Sequence, residues 1–125
     1  MRLVAVARLS FQNLLWRTTG LRLAGRAVVR ALEHPDPNVR TIAGMWLVRA
    51  GRAAEPLLLE AVAARRSLPL VAQILADIGD RRAEPILVML SRDPDPEVAR
   101  AAREALRVLA VQLGSPPGDG RTPPA

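Results

Sequence analysis

The sequence predicts an all-α chain: a short α-solenoid of about three helical pairs behind an N-terminal helix. Three observations carry this reading. Ala, Leu, Val and Arg dominate the 125 residues, which is a helix-favouring set. The chain repeats itself with a period near 29 residues. Apolar residues recur at three- and four-residue steps, the spacing that lines one face of a helix.

The repeat is legible in two motifs. Gly51-Arg52-Ala53-Ala54-Glu55-Pro56-Leu57 returns as Asp80-Arg81-Arg82-Ala83-Glu84-Pro85-Ile86, with Pro85 lying 29 residues after Pro56. Pro35-Asp36-Pro37-Asn38-Val39 returns as Pro94-Asp95-Pro96-Glu97-Val98, a separation of 59 residues or about two periods. One such unit has room for two short helices and cannot cover its own apolar face. Stacked neighbours give a continuous core.

Each element follows from local signals. The first helix is expected over about 3–17, with Val4, Ala7, Phe11, Leu14 and Leu15 on one stripe, and the second over about 22–33. Asp36 and Asp95 are placed to cap helices over about 37–50 and 96–113, each with Pro at the first helical position. Pro56 and Pro85 are tolerable only in a first turn, which starts helices near Ala53 and Arg82, over about 53–65 and 82–91. Gly51 and Gly79 suit helix ends. Ser67 is positioned to cap a helix over about 68–78. Val98, Ala102, Ala105, Leu106 and Leu109 form the inward stripe of the last helix, with Arg100, Arg103 and Arg107 opposite. Ile42, Trp46, Leu47, Leu75, Leu87 and Leu90 complete the expected core. The organisation is then a repeat domain over 1–113, with a cap helix in 1–21 and repeats over 22–50, 53–79 and 82–113. The Pro/Gly-rich tail over 114–125 has little to bury and is expected to be disordered.

Charge is unevenly placed. The net charge is +6, and all 18 basic residues are Arg. Residues 1–32 hold six of them and no acid, so the remainder is balanced. Arg22, Arg26 and Arg30 are four apart and form a row along one helix. Without cysteine there is no disulfide, thiolate metal site or thiol nucleophile. No apolar run is long enough to span a bilayer, and the start lacks a convincing secretory signal. A cytoplasmic location is the expectation.

On Asp36-Pro37-Asn38-Val39-Arg40, Asp95-Pro96-Glu97-Val98 with Arg100-Ala101-Ala102-Arg103-Glu104-Ala105-Leu106, and Gly79-Asp80-Arg81-Arg82-Ala83-Glu84-Pro85, the chain resembles the short HEAT-like repeats named after the phycobilin lyase family. The resemblance covers about 25–113 and implies a scaffold that many functions share. Two places depart from the pattern. Ala99 stands where it expects an arginine like Arg40, and Arg65-Arg66-Ser67-Leu68-Pro69 replaces the Asp-Pro turn of the middle unit.

The chemistry such stacks can host narrows the function. Di-iron hydroxylases of this class use several His–Glu pairs, and this chain has a single His, His34, at an expected helix end. Base-excising glycosylases need a cationic groove and aromatic residues, yet only Phe11, Trp16 and Trp46 are present. Asp77 and Asp80 could form a carboxylate pair, but Asp80 reads better as a helix cap. No phosphate loop or catalytic triad is visible. The expectation is a non-catalytic interaction module without cofactor or metal. Its partner would be another protein with an acidic surface, contacted through Arg22, Arg26, Arg30, Arg100, Arg103 and Arg107. Nucleic-acid or anionic-surface binding through the N-terminal arginines is one alternative, and a chromophore-lyase subunit is another.

Overall fold

The computed structural model describes residues 22–114, with side chains from Gly25 onward. The helix expected over 3–17, including Phe11 and Trp16, and the tail from residue 115 lie outside the described residues. The elements are α1 (Arg22–Arg30), α2 (Pro37–Ala50), α3 (Glu55–Ala63), α4 (Leu68–Ile78), α5 (Glu84–Leu90) and α6 (Pro96–Gln112). Short 3-10 turns at Ala31–Glu33, Gly51–Ala54 and Arg81–Ala83 extend α1 and lead into α3 and α5. Among the described residues there is no strand.

The helices form three pairs in two layers. α1 packs on α2, α3 on α4 and α5 on α6, while α2, α4 and α6 stack as one row and α1 meets α3 in the other. α4 sits at the centre of the first row. The core runs unbroken through all three pairs, from Val28 and Leu32 through Leu47, Leu58, Val71 and Leu75 to Leu87 and Leu109.

The turns hold by named hydrogen bonds. Asp36 accepts from the Asn38 amide at 2.9 Å and Asp95 from the Glu97 amide at 3.0 Å, so both cap their helices. Asp80 accepts from the Arg82 amide at 3.0 Å and caps the turn before α5. Gly51 and Gly79 have φ of 59° and 77°, a region that L side chains rarely adopt, and both end helices.

Three expectations change. α3 and α5 begin at Glu55 and Glu84, two residues later than Ala53 and Arg82, because the residues before them wind as 3-10 turns. Ser67 makes no capping hydrogen bond: its backbone is left-handed, with φ 49° and ψ 40°, which is outside the extended geometry of a side-chain cap. Ile42, Trp46 and Leu106 are half-buried, whereas Leu47, Leu75, Leu87, Leu90 and Leu109 are buried. The α6 stripe is Val98, Ala99, Ala102, Ala105 and Leu109, so Leu106 lies on its flank. Ala99 is 3% exposed, and its burial explains why an alanine stands where Arg40 stands in α2.

Candidate partner-binding surface

The exposed side of the α2–α4–α6 row carries two adjoining depressions. One, of about 650 Å³, lies between α2 and α4 and is lined by Arg40, Gly44, Met45, Arg49, Ile74 and Asp77 among others. The second, of about 360 Å³, lies between α4 and α6 and includes Arg100, Ala101, Glu104 and Val108. Leu70, Gln73 and Asp77 of α4 line both, so the two form one groove across three helices. Met45 projects into solvent, 54% exposed. Partial burial, through desolvation, pushes the Asp77 carboxyl above the usual carboxylate range.

The groove is open between α2 and α4 because Gly44 lacks a side chain where α2 crosses Ile74. A Cβ there would stand 3.7 Å from Ile74 Cδ1. α4 and α6 approach more closely, and both helices bury alanines: Ala72 and Ala76 on one, Ala102 and Ala105 on the other.

The arginines singled out by the sequence divide among several roles. Arg26 is a clamp: its Nε and Nη2 donate to the two oxygens of Glu60 at 3.2 Å, tying α1 to α3. Arg30 is exposed beside it, and the Arg22 side chain lies outside the described atoms. Arg100 lines the groove and Arg103 is exposed. Arg107 donates to Glu104 at 2.9 Å, one turn back on α6. Arg26 and Arg30 thus line a different depression from Arg100.

A second set of arginines joins the units. Arg52 Nε donates to Asp80 at 3.0 Å, and Arg82 Nη2 bridges Asp80 at 3.0 Å and Glu55 at 3.1 Å. Arg65 makes a two-pronged contact to Asp93 at 2.9 and 3.0 Å. The Arg82 hydrogen bonds hold the Asp80 carboxyl well below the usual range, and Arg65 lowers that of Asp93. Glu55 goes the other way: burial first, then the hydrogen bond and charge of Asp80, push its carboxyl up. Its Oε1 is buried with no hydrogen-bond partner among the described residues. Asp80 thus pairs with Glu55 from the preceding unit, not with Asp77.

His34 has a structural role. Its Nδ1 accepts the Asp36 amide at 3.0 Å, and Asp93 Oδ1 accepts the Asp95 amide at 2.9 Å in the matching turn. Arg40 donates to the carbonyls of His34 and Pro35 at 2.8 and 3.1 Å. Among the described residues no three His, Asp or Glu side chains are grouped to hold a metal ion. No described helix is long and apolar enough to cross a membrane.

Sequence reasoning missed Gly44, Met45, Gln73 and Asp77 as groove residues. A glycine in mid-helix was the one signal available for them, since Gly there is unfavourable unless a close approach or an open floor uses it.

Stacked helical pairs around one continuous core define an α-solenoid. The model of the HEAT repeats matches residues 25–107, most of the chain, and the protein belongs to that family. No curated protein and no solved structure matches the chain.

Proposed function

We propose that this protein is a non-catalytic HEAT-repeat module that binds a segment of another protein along the α2–α4–α6 groove. The groove itself carries the reading. It runs across all three units, and its lining mixes apolar side chains (Met45, Val48, Leu70, Ile74) with the exposed cations Arg49 and Arg100. A segment with an apolar stripe flanked by carboxylates complements it: the stripe covers Met45 and Ile74, and the acids meet the arginines. HEAT repeats are commonly interaction scaffolds, which supports the class of function. The preference for a protein over nucleic acid rests on ion pairing. Arg26, Arg52, Arg65, Arg82 and Arg107 are each held by a carboxylate of the chain itself. Five described arginines are thus engaged within the chain, which weakens the cationic surface that a nucleic acid would need.

The test is selection from a displayed peptide library against the full chain, followed by titration of enriched peptides. Selected sequences should carry apolar residues at three- and four-residue spacing with Asp or Glu beside them. Met45→Glu and Arg49→Glu should each weaken binding at least tenfold while the helical spectrum stays unchanged. Binding that ignores both substitutions would refute the groove. Duplex DNA or RNA that competes with the peptides, with affinity falling steeply with salt, would replace the protein partner with nucleic acid.

A further inference from the structure

The groove has a charge pattern that any occupant must meet. The charged side chains lining its two depressions are Arg40, Arg49, Asp77, Arg100 and Glu104. Arg40 is engaged on the carbonyls of His34 and Pro35, and Glu104 on Arg107. The side chains of Arg49, Asp77 and Arg100 have no hydrogen-bond or ion-pair partner among the described residues. Taken in the order of the row, from α2 through α4 to α6, the unpaired charges run plus, minus, plus.

Asp77 occupies the middle of this series. It lines both depressions, so a segment that follows the groove from α2 to α6 passes over it. Its carbonyl accepts from Gln112 Nε2 at 3.5 Å, a contact to the main chain that leaves the carboxylate without a donor. Apolar side chains share the lining with it: Ile74, one turn back on α4, and Val48 of α2. Burial alone raises its carboxyl, with no neighbouring cation to offset the effect.

We propose that Asp77 selects the partner: the bound segment carries a lysine or arginine that meets this carboxylate, in addition to the acids that meet Arg49 and Arg100. The inference rests on the groove as the binding site and supplies the one unpaired charge in it that an apolar and acidic segment leaves unmatched. The cause is desolvation. Apolar surface laid over a carboxylate strips its water, which costs free energy unless a counter-charge or donor replaces that water. A cation at this point offsets the cost. A segment without one leaves the carboxylate covered and unpaired, so the groove discriminates against purely acidic or apolar segments.

The experiment is parallel selection of one displayed library of random peptides against the full chain, Asp77→Asn, Asp77→Arg and Glu84→Gln, followed by titration. Peptides of about fifteen residues suffice, since a helix of that length spans about 22 Å and crosses three helices spaced about 10 Å apart. Glu84 is exposed at the start of α5 and outside the groove lining, so Glu84→Gln makes the same change of net charge away from the site. Peptides enriched on the parent should share a Lys or Arg at one fixed place relative to their apolar spacing. Norleucine at that place should weaken binding to the parent about tenfold and to Asp77→Asn by less than about threefold, the coupling expected of a close charge pair. Asp77→Arg should enrich Asp or Glu there instead, and Glu84→Gln should select as the parent does. A helical spectrum like that of the parent shows each variant folded. The proposal is overturned by enriched peptides without a shared basic residue, or by an equal norleucine loss on the parent and Asp77→Asn. A Glu84→Gln variant that behaves like Asp77→Asn overturns it too, since net charge then sets the preference. Met45→Glu separates its failure from that of the groove. Peptides that lose affinity for Met45→Glu but ignore Asp77→Asn refute the pairing and leave the groove standing, and peptides that ignore both refute the two together.

Discussion

The two seams of the stack are built differently. Between the first and second pairs, α2 and α4 border the larger of the two depressions, with Gly44 and Ile74 in its lining, and among the described residues the ion pair Arg26–Glu60 crosses. Between the second and third pairs, α4 and α6 are the most closely packed helices among the described residues. Gly79 continues this approach at the helix end, where an added Cβ would stand 3.4 Å from Gln112 Cβ. Three cross-unit ion pairs flank that seam: Arg52–Asp80, Arg65–Asp93 and Arg82–Glu55. The carboxylates of Asp80 and Asp93 are only 6% and 5% exposed there, while their arginines remain in solvent. The same repeat thus yields one seam closed by tight packing and cross-unit ion pairs and another with a depression on its exposed side.

The tight seam breaks most readily through its buried leucine. Leu109→Ala removes a side chain that is 1% exposed, and the loss is expected at about 2–5 kcal/mol. Leu106→Ala, on the flank of the same helix, should lose only about 1–2 kcal/mol. Denaturant unfolding of both variants tests the face of α6, and equal losses would contradict it. Enlargement breaks the seam from the other direction. Ala102 is fully buried, so Ala102→Leu forces α4 and α6 apart and should destabilise by about 1–3 kcal/mol.

The ion pairs beside this seam make stability depend on pH in two opposed ways. The Glu55 carboxyl is raised in the folded chain, so the folded state keeps a proton that the unfolded state has lost. Its contribution is full below the unfolded value of 4.5 and disappears as pH rises through the folded value. Asp80 is depressed, so its contribution is present above 3.8 and fades only as pH falls toward its folded value. Glu55→Gln keeps a donor for Asp80 at every pH. Its melting temperature should exceed that of the parent at pH 7, and the difference should shrink toward pH 4. A difference that grows on acidification would mean that Glu55 is held ionised by Arg82 instead.

The sequence showed the stack better than its seams. Asp36, Asp95 and Asp80 are legible as caps because a cap is a contact within three residues, and the Pro-Asp-Pro turns report themselves. The bounds of α2 follow from the same local chemistry, and the end of α4 follows from Gly79. The pairs Arg52–Asp80 and Arg65–Asp93 span 28 residues. A partner one repeat away is invisible to local reading, although the period near 29 points to it. Ser67 shows the converse limit: its identity suits a cap, but two left-handed residues, Arg65 and Ser67, turn the linker and take it out of capping geometry. The row Arg22, Arg26 and Arg30 was legible as a helix face, whereas the capture of Arg26 by Glu60 depends on how α3 lies against α1. Replacing all three arginines would break a structural clamp along with any binding surface, so Arg30→Gln is the cleaner probe of charge.

The smallest effect expected is also the most informative about the open seam. Gly44 sits in the middle of α2, where glycine is less favourable than alanine by about 0.8–1.0 kcal/mol in an exposed helix. An added methyl would meet Ile74 at 3.7 and 3.8 Å, ordinary van der Waals contact with a side chain that can adjust. Gly44→Ala should therefore stabilise the chain by about 0.5–1 kcal/mol, opposite in sign to Ala102→Leu although both enlarge a residue at a helix–helix seam. The same methyl narrows the depression between α2 and α4. If a partner segment lies there, the stabilised variant should bind the selected peptides more weakly than the parent. A rise in melting temperature with undiminished peptide binding would place the partner elsewhere on the row. A fall in melting temperature would mean that α2 and α4 are already in contact at Gly44, and the contrast between the two seams would no longer hold.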